Sequence, residues 1–200
     1  MNNLLLFSII SYVSFQLIAN VAALKIGIVC GYAVDMGVFL YPLTFTLRDL
    51  IHRELGKKLT KKVIVYTALF NFLMVLYFYF ISIFPTELST STSATFDKTM
   101  SPIWRVVIFS ILAQYVSEMV DTEIYQLFVR RFKDRYKWGR VLLSNSISIP
   151  IDNLIFCVGA FAFDYSWEVV LQIFLFNFVV KYLFSLLGMP LIYLAKSDKL

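Results

Sequence analysis

Polar side chains recur at helical spacing inside a stretch of chain that is otherwise apolar. Four of them, spaced four, three and four residues apart, are Gln114, Glu118, Asp121 and Tyr125. Side chains at this spacing lie on one face of a helix. A charge at the centre of a bilayer costs about 2.5 to 3.5 kcal/mol on insertion scales, so it requires a partner, a cavity or a position near the interface. We therefore expect this face to point away from lipid and to bind polar groups.

Three further apolar stretches carry similar polar stripes. They are Tyr12, Gln16 and Asn20; Asn145, Ser148 and Asp152; and Asn177, Lys181 and Ser185. Pro150 interrupts the second of these stripes and leaves the carbonyl of Ser146 without its helical donor. A kink at this point would set Asp152 and Asn153 beside irregular backbone, as at transporter binding sites. The alternative is that Pro150 only bends a packed helix.

Lys181 is a basic residue deep within its apolar stretch. Acids on the other stripes that could pair with it are Glu118, Asp121 and Asp152. Stripes that converge from four helices predict a polar, hydrated cavity near the middle of a helical bundle. The alternative interpretation is a buried network of ion pairs that only fixes the register of the helices.

The composition indicates which solvent surrounds these helices. The chain is 60% hydrophobic and 16% charged, whereas soluble domains are about half apolar and about a quarter charged. A transmembrane helix requires roughly 20 apolar residues, and no segment alternates with the period of two that a barrel strand requires. We therefore predict an all-α polytopic membrane protein of one domain, residues 1–200, with six transmembrane helices at approximately 3–24, 32–51, 63–84, 103–128, 141–163 and 169–194.

The distribution of Lys and Arg predicts the orientation of these helices. The net charge of +5 does not favour nucleic acid as a partner, because the basic residues cluster in residues 53–62, in residues 130–140 and near the C-terminus. Cytoplasmic loops of membrane proteins are enriched in Lys and Arg. Six helices with this pattern place both termini in the cytoplasm. The connection from Pro85 to Pro102 is then external, either as a cap over the cavity or as a plain solvated loop.

The end of the second predicted helix carries Asp49, His52 and Glu54. An enzyme that acts on lipid could use such groups, but offsets of three and five residues spread them over more than one face of a helix. The chain has no H-E-x-x-H metal motif and no GxxxxGK[ST] phosphate loop. We therefore predict no catalytic residue, no metal and no cofactor.

Five segments together resemble the vitamin-uptake-transporter family, whose members take up queuosine precursors. They are IANVAALK (18–25), FLYPLTFTLRDLIHRELGKK (39–58), VDTEIYQLFVRR (120–131), SNSISIPIDNLIF (144–156) and NFVVKYLFSLLGMPLIYL (177–194). The resemblance spans most of the chain. Glu118, Asn153 and the pair Ile149 and Pro150 differ from the family pattern, and these positions lie in the predicted pocket.

The resemblance implies a fold similar to the substrate-binding subunits of energy-coupling-factor transporters. It also implies import of a 7-deazaguanine, such as 7-cyano-7-deazaguanine, across a bacterial inner membrane. The alternative is a vitamin-binding subunit that needs a separate ATPase. The expected partners are the small-molecule substrate, membrane lipid and a possible second copy of the chain. The substrate-binding residues we expect are Gln16, Asn20, Asp49, Gln114, Glu118, Asp121, Asn145, Asp152, Asn153 and Lys181.

Overall fold

A computed structural model of the chain describes residues 3–84, 91–132 and 137–194. Its helices are α1 (Asn3–Ala22), α2 (Tyr41–Ser82), α3 (Ser91–Met100), α4 (Ile103–Phe132), α5 (Lys137–Phe161) and α6 (Trp167–Leu194). Between α1 and α2 lie the strands β1 (Ile26–Val29) and β2 (Tyr32–Asp35), followed by a 3-10 helix (Met36–Phe39).

Four segments of the described chain are long and apolar enough to cross a membrane. By length and composition they are Asn3–Ala22, Lys58–Ser82, Ser93–Ser117 and Trp167–Leu187, and a shorter apolar helix covers Asn145–Phe161. Large apolar side chains such as Phe70, Tyr77 and Leu187 face outward, as expected for helices whose solvent is lipid. The chain is therefore a mainly helical polytopic membrane protein, as the composition predicts.

The segment between α1 and α2 corrects the predicted second helix, which was expected to begin at Tyr32. In the structure β1 and β2 form an antiparallel hairpin in which Ile26 lies opposite Asp35 and Val29 opposite Tyr32. The two turn residues both have positive φ angles, 52° at Cys30 and 83° at Gly31, as a tight two-residue hairpin turn requires. Because a short apolar run fits a strand as well as a helix, hydropathy alone does not separate the two.

Helix α2 contains the remainder of the second predicted helix and all but the end of the third. Pro42 lies in its first turn, where a missing N–H leaves no helical hydrogen bond unmade. The helix is broken at Gly56, whose φ of 73° and ψ of 169° are not helical. Glycine adopts this conformation without the steric cost that a Cβ would impose. The two predicted helices are therefore joined directly at Gly56.

The connection between α2 and α4 also differs from the expectation of an irregular loop. Residues Ser91–Met100 form α3, and Phe96 on this helix packs against Phe78 of α2 with ring centroids 6.0 Å apart. The bounds of α1, α4, α5 and α6 lie within four residues of those predicted.

The helices pack so that α1 contacts α2 and α4, and α5 contacts both α4 and α6. Strand β2 and the 3-10 helix contact α6, and the 3-10 helix also contacts α1. An apolar cluster next to the hairpin joins these elements and includes Ala23, Val106, Cys157 and Ile173. This packing fixes the end of the hairpin between α1 and α6.

Candidate functional site

An ion pair joins α5 to α6 in the interior of the protein. The Nζ atom of Lys181 lies 2.5 Å from Oδ2 of Asp152, and the two side chains are 5% and 8% exposed. Ser117 of α4 donates a hydrogen bond of 3.3 Å to the other oxygen of Asp152. The position of Lys181 deep within its apolar stretch predicts a pairing of this kind, with an acid from another helix.

Two aromatic rings lie beside the same lysine. Its Nζ is 5.1 Å from the ring centroid of Tyr41 and 5.8 Å from that of Phe156. A cation within about 6 Å of an aromatic face is attracted by the quadrupole of the ring. The ammonium group is therefore held by one carboxylate and two rings, which fixes its position at the junction of α2, α5 and α6.

A second acid, Asp35, lies at the end of β2 and contacts α6. The amide nitrogen of Asn177 donates a hydrogen bond of 2.6 Å to its Oδ2, and the two residues are 2% and 1% exposed. Asn177 precedes Lys181 by one helical turn, so both side chains lie on the same face of α6. Two residues after Asp35, Gly37 lets the 3-10 helix pack against α1, because a Cβ at this position would clash with the backbone carbonyl oxygen of Ala19.

These two polar pairs line one cavity. The space around these side chains contains about 360 Å³ that no atom fills, and this figure includes open solvent. Its lining residues are Ala19, Asn20, Ala23, Asp35, Gly37, Val38, Tyr41, Ser110, Ala113, Asp152, Phe156, Asn177 and Lys181. With both acids ionised and Lys181 protonated, the lining carries one net negative charge.

Three of the residues predicted to bind substrate, Asn20, Asp152 and Lys181, line this cavity. Asn20 also donates a hydrogen bond of 2.6 Å to Asn71 of α2, which anchors α1 beside the cavity. The side chains of three other predicted residues, Asp49, Glu118 and Asp121, lie outside the described part of the chain.

The remaining predicted residues are buried or partly buried but are not among those that line the cavity. Gln16 donates a hydrogen bond of 3.0 Å to the Tyr12 hydroxyl, and Gln114 donates one of 3.4 Å to the same oxygen. Asn145 donates to the hydroxyl of Ser185. The first of these bonds lies within α1, and the other two join neighbouring helices, as polar side chains often do in membrane proteins.

Asn153 is the fourth of these residues. It is fully buried, and neither its amide nitrogen nor its amide oxygen has a hydrogen-bond partner in the described chain. Asn153 follows Asp152 directly on α5. Because successive residues of a helix point in different directions, Asp152 lines the cavity and Asn153 does not.

Sequence reasoning missed several lining residues, of which Asp35 and Asn177 are the most polar. The sequence predicts Asp35 near the start of a transmembrane helix, where no pattern marks it as facing the interior. Asn177 lies on the stripe with Lys181 but is not among the residues predicted to bind substrate. The signal that could have found Asn177 is its spacing of four residues from the deep lysine.

Within the part of the chain that the structure describes, no group of three His, Cys, Asp or Glu side chains could hold a metal ion. The arrangement offers carboxylates, amides, an ammonium and aromatic faces, which are the groups that recognise a polar planar molecule by hydrogen bonding and stacking.

Comparison with known proteins gives two matches. A model of the family described as "Putative vitamin uptake transporter" matches residues 35–195. A protein of Bacillus subtilis (strain 168) named "Probable queuosine precursor transporter" is 27% identical over 182 residues, which cover 90% of this chain and 79% of that protein. No solved structure matches the chain.

Proposed function

Because the chain belongs to the vitamin uptake transporter family, we propose that it imports a queuosine precursor into the cytoplasm. The proposed cargo is 7-cyano-7-deazaguanine or a related 7-deazaguanine. The name of the Bacillus subtilis relative supports this cargo. The family itself supports the broader statement that the chain is a membrane transporter of a small molecule.

The observation that carries the proposal is the chemistry of the cavity. A deazaguanine is a planar molecule with several N–H donors and one carbonyl acceptor. Asp35, Asp152 and the Asn177 carbonyl provide acceptors, Lys181 provides a donor, and the rings of Tyr41 and Phe156 provide aromatic faces. A site of this kind binds through few polar contacts and excludes molecules that leave those contacts unmade.

The ten residues predicted to bind substrate divide by position. Asn20, Asp152 and Lys181 are proposed to touch the substrate, and Asp49, Glu118 and Asp121 remain proposals from the sequence. Gln16, Gln114 and Asn145 are proposed to stabilise the helices around the cavity. Asn153 also remains a proposal from the sequence, because neither of its amide atoms has a partner in the described chain.

The proposed topology is a single domain of six transmembrane helices, similar to the binding subunits of energy-coupling-factor transporters. It has both termini in the cytoplasm and lies in a bacterial inner membrane. Basic residues at 53–62 and 130–140 support this orientation. Cysteine scanning with an impermeant thiol reagent, in a Cys30→Ser background, tests it at residues 58 and 98, which we expect on opposite sides.

Uptake by the purified protein in liposomes tests the function. We expect liposomes that contain only this chain to take up labelled 7-cyano-7-deazaguanine, and unlabelled guanine to compete poorly. Liposomes with the Asp152→Asn variant are expected to show at least tenfold slower uptake, while the amount of inserted protein is unchanged. Uptake by the variant at the wild-type rate would remove Asp152 from the site.

The same experiment separates import by this chain alone from the alternative that needs an ATPase. The sequence has no GxxxxGK[ST] loop, which is the motif that binds the phosphates of ATP in P-loop ATPases. Tight binding of the deazaguanine without uptake in liposomes would favour a binding subunit for a separate motor.

A further inference from the structure

The pair formed by Asp35 and Asn177 differs from the other polar groups of the cavity, because an acceptor within it is left without a donor. The Oδ1 atom of Asn177 is buried and has no hydrogen-bond partner in the described part of the chain. A buried acceptor of this kind weakens the fold unless a ligand or water supplies a donor. Asn177 is among the residues that line the cavity, so this buried oxygen belongs to a residue beside the space that a guest would occupy.

The identity of the unpaired atom follows from its neighbours. The nitrogen of the Asn177 amide donates to Asp35 at 2.6 Å and to the sulfur of Cys157 at 3.9 Å. Turning the amide over would place its oxygen against a carboxylate oxygen, which repels it. The unpaired atom is therefore the carbonyl oxygen, and it accepts hydrogen bonds.

Asp35 adds a second acceptor next to the first. It is among the residues that line the cavity. Its partners in the described part of the chain are neutral donors, namely the Asn177 amide and the backbone N–H groups of Gly37 and Val38, and the charge of Lys181 also acts on it. Asp152, by contrast, forms an ion pair with Lys181. The cavity lining thus includes a carboxylate and a neighbouring amide, and among the described residues neither forms an ion pair.

From this arrangement we infer that Asp35 and Asn177 form the specificity pair of the cavity and bind an edge of the cargo that carries two adjacent N–H donors. This inference rests on the proposed function, because a 7-deazaguanine has such an edge in its ring N1–H and its 2-amino group. The carboxylate accepts from the amino group and the Asn177 carbonyl accepts from N1–H. Purines that lack the 2-amino group leave Asp35 without its donor.

The inference explains why an acid is placed on a hairpin between two helices. The hairpin brings Asp35 against α6, where Asn177 fixes the carboxylate by a hydrogen bond. An acceptor held in this way needs no reorganisation when the cargo arrives, so less free energy of binding is lost. Asp35 and Asn177 act by touching the cargo, and Cys157 acts only by holding the amide.

Binding measurements on the purified full chain test the inference with two ligands. One is 7-cyano-7-deazaguanine, and the other is the same compound without its 2-amino group. A hydrogen bond to a charged group contributes enough to expect on the order of a tenfold to hundredfold weaker Kd for the second ligand with the wild-type protein. Wild-type binding of both ligands with equal Kd would overturn the inference.

The Asp35→Asn variant gives the matched test on the protein side. Because it replaces an acceptor by an amide of the same shape, we expect it to bind both ligands weakly and to lose most of the preference. Asp97→Asn, on α3 and away from the cavity lining, is expected to keep the preference. An Asp35→Asn variant that retains the full preference would overturn the inference.

The results with the wild-type protein distinguish this inference from the proposed function. If Asp35→Asn does not fold, the comparison of the two ligands on the wild-type protein decides the question alone. If the wild-type protein binds neither ligand, the proposed function fails and the inference fails with it. If it binds both equally, the proposed function stands and the specificity pair is wrong.

Discussion

Asp152 and Asp35 are two buried acids that line one cavity, but their bonding partners differ. Asp152 accepts hydrogen bonds from the ammonium of Lys181 and the hydroxyl of Ser117, whereas the described donors to Asp35 are all neutral: the Asn177 amide and the backbone N–H groups of Gly37 and Val38. A buried charge is stable only when it is paired or hydrogen-bonded. The comparison indicates that Asp152 and Lys181 hold α5 to α6, while Asp35 keeps accepting capacity for a guest.

The largest effect is expected when the ion pair is broken from its basic side. Lys181→Met keeps the length of the side chain but leaves Asp152 buried without a cation, which typically costs about 3 to 5 kcal/mol of stability. We expect a correspondingly lower free energy of unfolding, measured by denaturant titration of the purified protein in detergent.

The double variant Lys181→Met with Asp152→Asn is the control for this prediction. It removes both charges, so most of the lost stability is expected to return. A Lys181→Met variant as stable as the wild-type protein would mean that the ion pair does not hold the two helices together.

A smaller effect is expected at Tyr41, whose ring lies 5.1 Å from the ammonium of Lys181. Tyr41→Leu removes the aromatic face and is expected to lower the free energy of unfolding by about 0.5 to 2 kcal/mol. Tyr41→Phe keeps the ring and is expected to retain most of that stability. Equal losses in the two variants would assign the effect to the hydroxyl group and not to the ring.

The smallest effect on ligand binding is expected at Gln16, whose amide is bonded to Tyr12 and is not part of the cavity lining. Gln16→Leu is expected to lower stability by about 0.5 to 1.5 kcal/mol, the usual net value of one hydrogen bond. The Kd for 7-cyano-7-deazaguanine is expected to change less than twofold. A tenfold weaker Kd would place Gln16 in the site and remove the distinction between the two kinds of polar residue.

The sequence predicts the helices well because their signal is long and uniform. Roughly 20 apolar residues in succession have few alternatives to a membrane helix, and α1, α4, α5 and α6 lie close to their predicted bounds. The same reasoning fails for residues 26–35, where a short apolar run flanks the turn at Cys30 and Gly31 and forms a hairpin instead. Short apolar runs do not distinguish a strand from a helix.

The sequence predicts only part of the site, and the reason is related. Helical spacing identifies which polar residues face away from lipid. It therefore finds Asn20, Asp152 and Lys181, which line the cavity. It cannot tell a polar residue that faces a cavity from one such as Gln114 that bonds to a neighbouring helix, because both face away from lipid. Asp35 was missed because its position depends on how the hairpin packs against α6, which no local pattern records.

The central claim is that the cavity bounded by Asp35, Asp152, Asn177 and Lys181 is where the cargo binds. The most direct measurement is an experimental structure of the full chain with 7-cyano-7-deazaguanine bound. Our account predicts the ligand in this cavity, with N–H donors at hydrogen-bond distance from Asp35 and from the carbonyl of Asn177. A ligand bound elsewhere, with the Asn177 carbonyl still unpaired, would contradict it.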